Sequence, residues 1–168
     1  AAYVWHQVVD FAGALAREPL SHRTYARMLE PWGLMELVPG AIYRSAEPRG
    51  PHFAHLAKLG IRTLVCVKRT LPRETTLAWA VDAGVNVARI DLGGDGAITP
   101  QAIRRALDLI TNPDLWPVLL HCDGGRHRTG IVTAALRERE GVSLNEALDE
   151  YERLAAPTPR VSDGAAIA

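Results

Sequence analysis

Between His121 and Gly130 the chain reads HCDGGRHRTG, setting Cys122 and Arg128 six positions apart across a pair of glycines. A phosphate ester is an anion that resists attack by another anion. Cleaving it without a metal requires its oxygens to be neutralised while a good nucleophile approaches phosphorus. Arg128 is the residue type whose planar fork holds two phosphate oxygens at once and keeps its charge at any working pH. A cysteine thiol ordinarily titrates near ~8.5, and the start of a helix beside cationic groups lowers that value by one to several units. Cys122 is therefore expected to act as a thiolate. Gly124 and Gly125 are read as loop residues that allow positive φ and close backbone approach around one tetrahedral anion. The Thr129 hydroxyl is expected to donate to the Cys122 sulfur. His121 is expected to face away from substrate and order the loop through hydrogen bonds. Asp123, Gly124, Gly125, Arg126 and His127 would line the anion.

Such a loop needs a strand to deliver the cysteine and a helix to receive the arginine. The apolar run Trp116 to Leu120 predicts a buried strand before it, and Thr129 to Leu136 opens a helix that reaches about Glu140. Oriented backbone amides and the helix dipole then favour an anion in the loop. Upstream, apolar positions at helical spacing over residues 3–30, interrupted near Pro19, predict two helices. Trp32 to Val38, a Pro39-Gly40 turn and Ala41 to Ser45 predict a β-hairpin. A helix from His52 to Leu59, a strand from Ile61 to Val67, a helix from Leu71 to Ala83 and a strand from Val85 to Leu92 follow. Pro100 to Ile110 predicts a helix with proline in its first turn. Leu144 to about Leu154 predicts another, capped by Ser143 with Glu146 three positions on. Strands alternating with helices imply an α/β sandwich with a central, largely parallel sheet whose ligands lie beyond the strand C-termini. The loops at 67–73, 92–99 and 121–130 should share one pocket there, and Lys68, Arg69 and Arg73 could contact phosphates from the first of them.

The ten-residue segment resembles the HCxxGxxR(S/T)G signature of the cysteine-dependent protein tyrosine phosphatase superfamily. His121 precedes the cysteine, Gly125 stands inside, and Thr129-Gly130 follow the arginine. The resemblance extends over roughly residues 34–165, through Leu37 to Ser45, Leu59 to Leu64, Glu150 to Arg153 and Arg160 to Asp163. These stretches are similar to the plant and fungal branch of atypical dual-specificity phosphatases, and to bacterial relatives. Members of that branch cleave inositol pyrophosphates, and typically read GKHRTG where Gly125 to Gly130 stand here. The resemblance implies a protein tyrosine phosphatase-like fold, with residues 1–31 as a helical extension and 32–168 as the catalytic domain. It also implies a phosphocysteine intermediate and a phosphorylated partner, either an inositol phosphate or phosphoinositide or a phosphoprotein. No metal or other cofactor is called for. Asp123 departs from the branch, standing where a lysine is common, and its charge opposes highly phosphorylated substrates. Arg44 resembles a family arginine after the hairpin and is read as structural.

Expelling the leaving group needs a proton donor. Asp91 and Asp95 both lie in the loop where the resemblance puts it. Asp95 is favoured if one extra residue in the Gly93-Gly94 stretch is allowed. Asp91 and a donor from elsewhere stay open.

Composition bounds the alternatives. The 168 residues carry 19 basic and 19 acidic side chains, so overall charge gives nucleic-acid binding no support. No apolar run approaches the ~20 residues of a membrane span. Two cysteines are too few for a disulfide framework, and a thiolate nucleophile suits a reducing compartment, which makes a cytoplasmic location the expectation. The sequence opens on Ala1, so a targeting or anchor segment ahead of it is left open. His52 and His55 have HxxH spacing but no third ligand nearby. Cys66, mid-strand, is read as a core residue. Two other functional classes are weighed: a phospho-ligand binding module with little turnover, and sulfur transfer on a rhodanese-like fold, which Arg128 and Thr129 disfavour.

Overall fold

Alternating apolar side chains build the sheet from both of its faces. The computed structural model describes residues 32–92 and 98–155. The expected N-terminal helices, Asp95 with the rest of 93–97, and the tail bearing Arg160 and Asp163 lie outside them. Strand β1 (Met35–Val38) turns through Pro39 and Gly40 into β2 (Ile42–Ser45), and the two pair antiparallel. Gly40 holds φ +67°, a conformation that glycine adopts without penalty. Helix α1 (Gly50–Lys58), β3 (Thr63–Cys66), α2 (Glu74–Ala83) and β4 (Asn86–Arg89) follow. Then come α3 (Pro100–Ile110), a 3-10 turn (Pro113–Leu115) and β5 (Val118–His121). Helices α4 (Arg128–Arg139) and α5 (Leu144–Ala155) complete the described chain. The strand order is β1-β2-β5-β3-β4, and β2, β5, β3 and β4 run parallel.

The order puts β5 in the centre, so the loop after it emerges between two parallel neighbours. Tyr43, Leu64 and Leu119 point to the face covered by Leu56 of α1 and Ala80 of α2. Ile42, Val65, Val118 and Leu120 point to the opposite face, under Ala106, Ile131, Leu136 and Leu154 from α3, α4 and α5. Leu119 and Leu120 are both fully buried, and truncating either to alanine would cost roughly 2–5 kcal/mol. The predicted strand from Ile61 to Val67 runs longer than β3 at both ends. Ile61 is buried, but its N–H turns to Leu56 of α1, whereas Val67, one residue past β3, still donates its N–H to the His121 carbonyl of β5 at 2.8 Å.

Local signals hold at the helix ends. Thr99 caps α3 through the Ala102 N–H at 3.2 Å, with Pro100 in the first turn. Ser143 and Glu146 form the expected reciprocal cap on α5, and that pairing holds the Glu146 carboxyl below its usual range. Buried Arg137 ties α4 to α5, with Nε 3.2 Å from Glu150 and Nη1 3.0 Å from Glu140. Desolvation alone would pull this guanidinium down; Glu150 and Glu140 outweigh it, and the pKa rises. His52 stacks on Trp32 at 4.2 Å and accepts the Arg49 N–H, a structural role for half of the HxxH pair.

Candidate active site

Cys122 follows the last residue of β5 and is 3% exposed. The Gly125 N–H donates to its sulfur at 3.2 Å. Gly125 has φ +67°, and a Cβ on it would lie 2.5 Å from backbone atoms of Ser45 and Ala46. No other residue fits at this position. The Gly125 carbonyl accepts from Arg44 Nη2 at 2.7 Å, across 81 positions of sequence. Arg44 is 1% exposed, and burial lowers its pKa to about 10 against the opposing pull of Glu150 and Cys122. It therefore stays charged at neutral pH. Gly125 is thus held on both sides, its carbonyl by Arg44 and its N–H on the sulfur of its own loop.

His121 is fully buried, with Nδ1 3.1 Å from the Cys122 carbonyl. Nδ1 must carry the proton to donate there, and burial lowers the pKa, so the ring is neutral. Its Nε2 has no hydrogen-bond partner among the described residues. Arg128 opens α4, so the positive end of that helix faces the loop. Gly130, in the same turn, admits the Tyr151 ring of α5, which a Cβ would meet at 2.8 Å. The Tyr151 hydroxyl lies 3.3 Å from His127 Nδ1, so α5 braces the loop from beneath.

Two expectations need correction. The Thr129 hydroxyl is buried and makes no hydrogen bond among the described residues, so it does not cap the Cys122 sulfur here; Gly125 N–H does. Gly124 has no positive φ, and a Cβ there would meet nothing within 4 Å. Of this pair of glycines, the steric need falls on Gly125.

At the mouth of the loop the side chains are charged. Lys68, 4% exposed, reaches Asp123 Oδ1 at 2.7 Å and Glu47 Oε2 at 3.1 Å. Desolvation pulls its pKa down, but the hydrogen bonds to Asp123 and Glu47 outweigh that and raise it. Asp123 Oδ2 lies 3.4 Å from Arg128 Nη2. The Lys68 hydrogen bond, against some desolvation, holds the Asp123 carboxyl below its usual range, with Arg128 and Arg73 adding to the effect. Asp123 is consequently ionised and unsuited to donate a proton. Glu47, 3% exposed, also accepts the Arg73 N–H at 2.7 Å and lies 3.4 Å from Arg73 Nε. Its own N–H donates to the Asp123 carbonyl at 3.0 Å.

The structure thus brings Lys68 and Arg73 to Asp123 and Arg128. Arg69 and Arg126 are exposed, and the Arg69 carbonyl accepts from Arg89 at 2.7 Å. Asp91, at the end of β4, lies 3.9 Å from Arg89. Sequence reasoning missed Glu47 and took Arg44 only as structural. The available signal was positional: both lie at the C-terminal end of β2, the strand directly beside β5.

Residues 33–168 match the family model described as the tyrosine phosphatase family. The chain is 31% identical over 150 residues to inositol diphosphatase SIW14 of Saccharomyces cerevisiae, covering 86% of this chain and 53% of that protein. It is 34% identical over 119 residues to the putative tyrosine-protein phosphatase OCA1 of Yarrowia lipolytica, covering 68% and 47%. The chain spans about half the length of these relatives. The crystal structure of the SIW14 core catalytic domain, described as a PP-IP phosphatase and bound to citrate, superposes with a TM-score of 0.76 at 28% identity. That match covers 80% of this chain and 82% of the other.

Proposed function

Because the chain belongs to the tyrosine phosphatase family, we propose that it is a metal-independent phosphatase that hydrolyses phosphate esters or phosphoanhydrides through a phosphocysteine, with phosphorylated inositols as its substrate class. The observation that carries this reading is the position of Gly125, whose N–H donates to the Cys122 sulfur at 3.2 Å while Arg44 Nη2 donates to its carbonyl at 2.7 Å. Those contacts tie the Cys122 sulfur into the loop that ends at Arg128, the first residue of α4.

In the proposed reaction the Cys122 thiolate attacks phosphorus in line with the leaving oxygen. An S–P bond forms as the P–O bond breaks, and the leaving oxygen takes a proton from an acid, for which Asp95 is the favoured residue. Arg128 and the loop amides hold the remaining phosphate oxygens and stabilise the charge that grows on them. Water then attacks the phosphorus of the phosphocysteine, giving a proton to the base that the acid became in the first step; an O–P bond forms as the S–P bond breaks, and the sulfur leaves as thiolate. His121, neutral and buried, fixes the Cys122 carbonyl and takes no proton. The inositol class is supported by the name of the SIW14 relative, and action on phosphoproteins by the name of the OCA1 relative.

A panel on purified protein tests the reading: inositol polyphosphates and pyrophosphates, phosphoinositides and phosphotyrosine peptides, each with Cys122→Ser as control. Phosphate release from the inositol compounds that falls on the order of 10⁴-fold or more in the variant is expected. Release that survives Cys122→Ser would sink the mechanism. Exclusive turnover of phosphopeptides would move the substrate to protein. Asp95→Asn should slow substrates with poor leaving groups by roughly 10²-fold while sparing good ones.

A further inference from the structure

Arg128, at the start of α4, and Lys68, at the mouth of the loop, both already face a carboxylate. Asp123 spans them, 2.7 Å from Lys68 and 3.4 Å from Arg128, on a side chain that is 57% exposed. The second carboxylate on Lys68, Glu47, differs in kind. Its side chain is 1% exposed and is bound by the Arg73 N–H and Nε as well, so it is fixed in place. Among these groups three cations, Lys68, Arg73 and Arg128, face two carboxylates. One unit of positive charge is left over, less than a single phosphate dianion carries. A phosphate that takes Arg128 through both of its Nη groups competes with Asp123 for Nη2, and its charge repels that carboxylate, so binding pushes Asp123 aside.

We infer that Asp123 is an internal competitor of the substrate's phosphates and determines specificity by charge. Resting on the phosphatase reading, it ranks phosphorylated inositols, favouring an isolated phosphate over adjacent or pyrophosphate groups. The mechanism is competition in two stages. The phosphate being cleaved takes Arg128, the longer of the two contacts. A second phosphate close by needs Lys68, and must then both break the 2.7 Å contact and lie beside the displaced carboxylate. Lys68 itself stays in place because Glu47 anchors it. A substrate with one phosphate meets the first cost alone. Like-charge crowding at a site of this kind separates substrates more than it weakens all of them.

Calorimetry on Cys122→Ser protein, with inorganic phosphate and inorganic pyrophosphate as probes, reads the competition without turnover. Adding Asp123→Asn should tighten pyrophosphate by roughly three- to tenfold and phosphate by less, and Asp123→Lys should widen the gap further. Asp123→Glu, which keeps the charge, should retain the original ranking. In protein with Cys122 intact, kcat/KM for an inositol pyrophosphate relative to p-nitrophenyl phosphate should rise in the same order. Equal tightening of both probes, or a kcat/KM ratio that stays constant across the series, would overturn the inference. Absence of turnover in every form, with the binding order as expected, would sink the phosphatase reading and leave the competition standing.

Discussion

Beneath the loop, Arg44 is 1% exposed and directs its guanidinium at a backbone carbonyl; at the mouth, the Asp123 side chain is 57% exposed and its carboxylate faces other side chains. The two regions serve one anion site by different physics. The floor fixes a peptide through a buried donor, a positive φ and a backbone contact that leaves no room for Cβ. Its tolerance for change is low. The rim sets net charge through partly exposed groups whose interactions water and salt screen. Floor substitutions should therefore act on kcat and stability, and rim substitutions on KM and substrate ranking.

Four substitutions or conditions can break that division, taken from the largest effect downward. Gly125→Ala drives a Cβ into the Ser45–Ala46 backbone at positive φ, and should cost about 2–4 kcal/mol of stability along with most activity. Denaturant melts and turnover together read it. An active, stable Gly125→Ala protein would mean the floor is softer than its geometry. Arg44→Met removes the charged donor from the Gly125 carbonyl and should lower kcat about 10²-fold at nearly constant KM, with Arg44→Lys recovering part of the loss. A change confined to KM would assign Arg44 to the rim.

The third test is pH. Burial depresses the His121 pKa below its ordinary value of 6.5, so below that value the unfolded chain binds more protons than the folded one. The contribution of His121 to stability is present above pH 6.5 and is lost as pH falls toward the folded pKa. Thermal melts should fall over that window and fall less in His121→Gln; parallel curves would remove His121 from the acid response. The smallest effect belongs to the rim. Arg73→Ala deletes the exposed side of the Glu47 pairing and keeps the backbone donor, so KM should rise only about two- to threefold with kcat little moved. A loss of stability as large as that of Gly125→Ala would merge the two regions.

The same division separates what sequence alone could show. The grouping of Cys122, Gly125 and Arg128 was readable because they lie within seven residues of one another, and the strand-to-helix setting of that loop follows from local apolar runs. The layers were readable because β2, β3 and β5 are buried on both faces and interrupted by capped helices. Glu47 was hidden because nothing near it in sequence explains a buried carboxylate; its partners Lys68, Arg73 and Asp123 arrive from other loops. Asp123 was legible as a charge, but its two cations come from different elements. The 3-10 turn at Pro113–Leu115 was missed, although Asn112 caps it through the Asp114 N–H at 3.0 Å. The sulfur's donor was assigned to Thr129 because a hydroxyl at that spacing is a ready candidate, whereas the loop folds its own amide inward.

Arg44 stands opposite Leu120 in the pairing of β2 with β5, on the face that α4 and α5 cover. A slip of one residue would turn Arg44 to the far face and bring Tyr43 or Ser45 beneath the loop. Neither carries a guanidinium, and the Gly125 peptide would lose its anchor. Correct register of the central sheet and the anchoring of Gly125 are therefore one event. On the proposed phosphatase reading a mispaired chain would be inert, so the active fraction of a preparation would double as a census of correctly registered sheets.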